Sequence, residues 1–182
     1  MGLRVTGAEM LQQGPKITVQ ATRIVVTGSF PILPVVFSAN GPPDGAADAD
    51  ATTDYGDIGF SCPLTGPLTM TYNLGGVGGN KPGILITFWN GTTRASSSVV
   101  DGTLGVHEDK HKAFALTWWT QDNLVKIAKA NKMSFDNLSD NQAQANAIHQ
   151  FMLDQHDFDQ DSNIDTYRQP RSPAPTFGGT TY

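Results

Sequence analysis

Two hydrophobic periods divide the chain. Up to about residue 100 the apolar positions recur every second residue, in short runs broken by Gly, Pro and Asn. Ile17-Thr18-Val19-Gln20-Ala21 alternates apolar and polar, and Arg23-Ile24-Val25-Val26-Thr27 continues that strand or begins its partner. Ile32-Leu33-Pro34-Val35-Val36-Phe37 is apolar, but Pro34 restricts it to an edge or a bulge. Residues 40–57 are rich in Gly, Pro, Ala and Asp without a period, and predict a surface loop. Leu68-Thr69-Met70-Thr71-Tyr72 alternates cleanly, and Ile84-Leu85-Ile86-Thr87-Phe88-Trp89 is apolar enough to be a central strand. Asn90-Gly91 is a hairpin signal that predicts a return strand over 93–100.

From Asp101 the period lengthens to that of a helix. Leu104, Glu108, His111, Ala115 and Trp118 fall on one stripe of a helix over 103–119, with Asp101 or Thr103 as its cap. Residues 124–132 continue helical and basic. A second helix over 139–156 opens on Ser139-Asp140-Asn141-Gln142, a capping box, and carries Ala145, Ile148, Met152 and His156 at helical spacing. The change of period predicts an α+β domain: a mostly antiparallel β-sheet in the N-terminal half, packed on two C-terminal helices. The domain is expected over 1–168. Three prolines and two glycines make 169–182 an extended, flexible tail.

Composition narrows the chemistry. A chain of 182 residues can build a hydrophobic core without staples. Charged residues are 16% and the formal net charge is −5, with no basic cluster, so a nucleic-acid partner is not expected. No apolar run is long enough for a helical membrane span. Residues 1–5 have no basic-then-apolar profile, yet the low charge and the Gly/Thr/Asn-rich loops lean towards an extracytoplasmic location. The single cysteine, Cys62, is expected to be a buried thiol without a catalytic role, since no basic residue adjoins it in sequence.

The first helix carries the chemistry. His107-Glu108-Asp109-Lys110-His111 is an HExxH pattern. Residues four apart share one helical face, so the two imidazoles converge on a point that suits Zn²⁺. Glu108 is rotated out of the ligand pair, where it can serve as general base toward water. Half of the 4 His fall in this window, and a shuffled chain of this composition gives the pattern about once in a thousand. The bland alternative is a charged helical face turned to solvent.

At this helix the chain resembles the zincin metalloproteases, loosely the small bacterial zinc proteases among them. Some of those place an aromatic-Asp-x-x-Thr-x-His segment, whose His is a third ligand, after the helix that follows HExxH. Phe158-Asp159-Gln160-Asp161-Ser162 resembles the front of that segment, and Ile164 stands where its His would be. The resemblance implies a zinc site of His107, His111 and a third ligand, with His156 the first choice, His149 the second and Asp159 the third. It implies a peptidase acting on peptide or protein substrates through Glu108. The alternation Asp157, Asp159, Asp161, Asn163, Asp165 also suggests an oxygen-ligand Ca²⁺ loop, but the central Gly and the twelfth-position Glu of an EF-hand are missing. Two other outcomes remain open: a non-catalytic, β-rich surface, appendage or virion component, and a closed metal site that serves stability alone.

Overall fold

The computed structural model describes residues 23–43, 49–56, 58–66, 68–75, 83–131, 133, 141–167, 174–177 and 180–181. The strands come first: β1 (Arg23–Gly28), β2 (Val36–Phe37), β3 (Ala51–Asp54), β4 (Ile58–Ser61), β5 (Thr69–Leu74), β6 (Leu85–Phe88), β7 (Ser97–Ser98) and β8 (Gly102–Thr103). Three helices follow, α1 (Leu104–Trp118), α2 (Gln121–Ala130) and α3 (Asn141–Asn163), then the short pair β9 (Thr176–Phe177) and β10 (Thr180–Thr181). The architecture is α+β.

The expected segments 84–89 and 68–72 became the centres of two separate sheets. β5 lies between β1 and β4, and β6 between β2 and β3. Both sheets are mixed rather than mostly antiparallel. β1 runs parallel to β5 over the register Arg23↔Thr69 to Gly28↔Leu74, while β4 is antiparallel to it. β2 is parallel to β6 and β3 antiparallel. Parallel partners need a long crossover rather than a tight turn, so no local signal announces them. β5 shows why the alternation is informative. Met70, Tyr72 and Leu74 are buried, and the intervening Thr69, Thr71 and Asn73 are not.

Elsewhere the elements depart from the sequence pattern. The Asn90-Gly91 turn forms, with φ of 55° and 73°. The residues after it do not return along β6. They fold through a turn closed by the Ser96 amide bonding the Thr93 carbonyl at 3.0 Å, and β7 pairs with β8 instead. Residues 51–54, expected in a loop, form β3. Its Ala-Thr-Thr-Asp sequence carries no apolar period, and the ladder to β6 holds it. The helical stretch after α1 is a separate helix, begun afresh by the Thr120 hydroxyl accepting from the Asn123 amide. α3 runs on to Asn163, so 157–163 are helical and form no Ca²⁺ loop. The predictions at 17–21 and at Ser139 lie outside the described residues.

The main core is built from the β1–β5–β4 sheet and all three helices, with Met70, Tyr72, Trp119, Leu124, Ile148 and Met152 fully or almost fully buried. Each such side chain stabilises the fold by about 1.5–3 kcal/mol relative to its exposed state. A smaller cluster of Ile86, Phe88 and Leu104 seats the start of α1 on the second sheet. α1 therefore bridges two cores: Leu104 belongs to one, and Ala115 and Trp118 to the other. Cys62 is half-buried rather than buried, with Sγ 3.5 Å from Gln142 Oε1.

Candidate metal centre

The geometry of the centre begins with how α1 starts. Thr103 caps the helix, its hydroxyl accepting from the Val106 amide at 3.4 Å. The Gly105 amide bonds the Arg94 carbonyl at 2.9 Å, in a contact where a Cβ would lie 2.9 Å from that same oxygen. With its start fixed, the helix turns Leu104, Gly105, His107, Glu108, His111, Ala115 and Trp118 inward. The predicted stripe is the buried face, and both histidines of the motif are buried with it rather than turned to solvent.

His107 and His111 direct their Nε2 atoms at each other across 3.2 Å. Asp165, two residues beyond the end of α3, brings Oδ1 to 3.3 Å from His107 Nε2 and 3.5 Å from His111 Nε2. These three atoms form a group able to hold a metal ion. Their spacing matches a tetrahedral site. Bonds of about 2.0–2.1 Å at the tetrahedral angle place ligand atoms about 3.3–3.4 Å apart.

The proton inventory points the same way. His107 Nδ1 is 2.8 Å from Asp101 Oδ2, and Lys110 pairs with the other oxygen of that carboxylate. Lys110 and His107 hold Asp101 below the usual carboxylate range, so it accepts and His107 Nδ1 donates. In neutral His107 the lone pair of Nε2 then faces a carboxylate oxygen and a second imidazole nitrogen. Two lone pairs facing each other favour a positive charge between them. The Asp165 hydrogen bond, partly opposed by burial, raises the His107 pKa, which is the response to a proton. A cation satisfies the same three donors at once. Burial pushes the Asp165 carboxyl upward, but its bonds to His107 and His111 prevail and hold it well below the usual range.

Glu108 is 3% exposed, and its Oε2 accepts from the Thr53 hydroxyl of β3 at 2.5 Å. Burial raises its pKa, against the opposing bond from Thr53 and the nearby imidazoles. A raised carboxylate pKa is what proton transfer near neutral pH requires.

Asp165, rather than the expected His156, lies beside the histidine pair. The His156 ring lies edge-on to Trp118, with centroids 5.0 Å apart, and within 5.5 Å of Trp119 and Phe114, in an aromatic box. His149 stacks on Phe60 at 4.6 Å. Asp159 accepts from Trp118 Nε1 at 2.9 Å and from Gln155 at 2.8 Å. His149 and His156 thus serve the aromatic core, and Asp159 ties α3 to α1. Sequence inspection had placed Asp165 in the acidic run and Asp101 as a cap, without assigning either to the centre. Thr53 carried no signal at all.

No protein-family model, no curated protein and no solved structure matches the chain. Among the described residues no helix is long and apolar enough to cross a membrane.

Proposed function

We propose that this protein is a zinc-dependent peptidase, with zinc held by His107, His111 and Asp165 and with Glu108 as general base. The observation that carries the proposal is the pairing of tetrahedrally spaced donors with a buried, pKa-raised carboxylate on the helix that bears the two histidines. Zinc, when bound, supplies Lewis acidity toward a carbonyl and toward water. The chain's own residues do the rest. His107, His111 and Asp165 would hold the ion with three protein ligands, which is the ligand count of a site that also takes water or substrate. Asp101 fixes the tautomer of His107 and so directs its Nε2 at the centre. Glu108 takes a proton from the attacking water and can return it to the leaving amine. Thr53 holds the carboxylate in place through Oε2.

The substrate would be an extended peptide. β6 is a central strand and offers no edge, but among the described residues β3 pairs on one side only and ends its sheet beside Glu108. A peptide added along β3 would bring its carbonyls past the base, with main-chain hydrogen bonds supplying affinity.

The test is elemental analysis of protein prepared without chelator, then hydrolysis of an unstructured peptide mixture. Stoichiometric zinc is expected, together with cleavage that chelator removes and zinc restores. Glu108→Gln should keep the metal and lower cleavage by about 10²–10⁴-fold, the usual contribution of a general base. Protein without zinc at stoichiometric loading, or a Glu108→Gln variant as active as the parent, overturns the proposal.

A further inference from the structure

We propose that Tyr55 is a positioning residue for this centre: its hydroxyl, by holding Gln160, fixes the turn that presents Asp165. The proposal rests on the metal reading above and concerns how the third ligand is kept in place.

Tyr55 follows directly on β3. Positions 53 and 55 lie on one side of an extended chain, and the Thr53 hydroxyl already reaches Glu108. The phenol of Tyr55 reaches instead to α3, donating to Gln160 Oε1 at 2.5 Å. Gln160 is bound at its other end as well. Its carbonyl accepts from the Ile164 amide at 2.8 Å and lies 3.5 Å from the Asp165 amide. One residue therefore joins the Tyr55 hydroxyl to the turn where α3 stops and Asp165 begins. Ile164, 6% exposed, anchors that turn from its apolar side.

The ring of Tyr55 is itself braced. It stands edge-on to His156 at 5.4 Å and 89°, and His156 is held against Trp118 of α1. This assigns His156 a supporting place one step removed from the metal. Burial raises the Tyr55 pKa, with the charges of Glu108 and Asp165 adding to it, so the hydroxyl stays protonated and remains a donor.

Asp165 lies outside the helix, where backbone freedom is greater than within it. A ligand there must be held to a fraction of an ångström for its oxygen to keep the tetrahedral spacing. Loss of an outer partner of a ligand costs about 10–100-fold in metal affinity.

The experiment measures zinc affinity of the full chain by competition with a chelator, alongside the melting temperature of the metal-free protein. The variants are Tyr55→Phe, Gln160→Leu and the double substitution. Each single variant is expected to weaken zinc binding about tenfold, and the double variant by about as much as either alone, because the two groups form one link. Gln160→Leu, at a half-buried surface position, gives an independent answer if Tyr55→Phe folds poorly. Variants that melt earlier but bind zinc within about twofold of the parent would make the link merely structural and overturn this proposal, while leaving the metal centre standing. A parent protein that binds no zinc overturns both.

Discussion

At the scale of single residues, the assignment of the third ligand makes the sharpest distinction. Asp165→Ala removes an oxygen that lies 3.3 Å from His107 Nε2 and 3.5 Å from His111 Nε2. Zinc binding should fall at least 100-fold in this variant, as measured by chelator competition. His156→Phe removes a ring whose Nε2 has no hydrogen-bond partner among the described residues, whose Nδ1 lies 3.1 Å from the exposed Asp157 Oδ1, and whose ring neighbours are aromatic. That variant should bind zinc within about twofold of the parent and change stability by no more than about 1–2 kcal/mol, the scale of a volume-conserving core substitution. Loss of zinc in His156→Phe with retention in Asp165→Ala would return the third position to His156. A second residue, His149, sets part of the response to acid. Its burial lowers its pKa from the usual 6.5. The unfolded chain therefore takes up a proton that the folded chain refuses, and stability is lost as pH falls below about 6.5. Between pH 7 and pH 5 the melting temperature of His149→Phe should therefore fall less, or rise more, than that of the parent.

At the scale of elements, the start of α1 controls the centre. Gly105→Ala would gain about 1 kcal/mol of helix propensity. Its Cβ would also meet the Arg94 carbonyl oxygen and Cβ, both at 2.9 Å, and a backbone oxygen in a turn yields little. The net effect should be a destabilisation of about 1–2 kcal/mol. Because His107 lies two residues on, zinc affinity should weaken as well, whereas a purely local clash would leave it unchanged. Equilibrium denaturation and zinc titration of the same variant check both parts.

The same helix shows what the sequence makes legible. HExxH, the cap at Thr103 and the inward stripe are relations within a few residues of one another, so spacing alone reveals them. β5 and β6 are legible for the same reason. The partner strand β3 is not, because Ala-Thr-Thr-Asp is held by its ladder to β6 and has no period of its own. Asp165 is hidden by a different cause. Its place depends on where α3 stops, and the acidic pattern of 157–165 suggested a loop where helix continues to Asn163. The parallel pair β1 and β5 is fixed by tertiary packing, which leaves no mark in a local window.

At the scale of the molecule, the centre ties together parts that are distant in the chain. α1 supplies two donors and Asp165, two residues past α3, supplies the third, while β3 holds Glu108 through Thr53. The two hydrophobic clusters meet at α1, through Leu104 on one side and Ala115 and Trp118 on the other. The unfolded chain has none of this geometry, so an ion that binds the folded form should stabilise the whole domain. With free zinc at about a thousand times its dissociation constant, linkage gives about 4 kcal/mol. For a domain of this size that corresponds to a rise in melting temperature of about 10 °C. Chelator should reverse the rise, and lower pH should diminish it, since His107, whose pKa is raised, must shed its proton to bind. Asp165→Ala, with an affinity about 100-fold lower, should keep no more than about a third of the rise at the same free zinc. A full rise in Asp165→Ala would place the stabilising ion elsewhere on the protein. A parent that gains nothing from zinc would mean that the three donors converge without binding it.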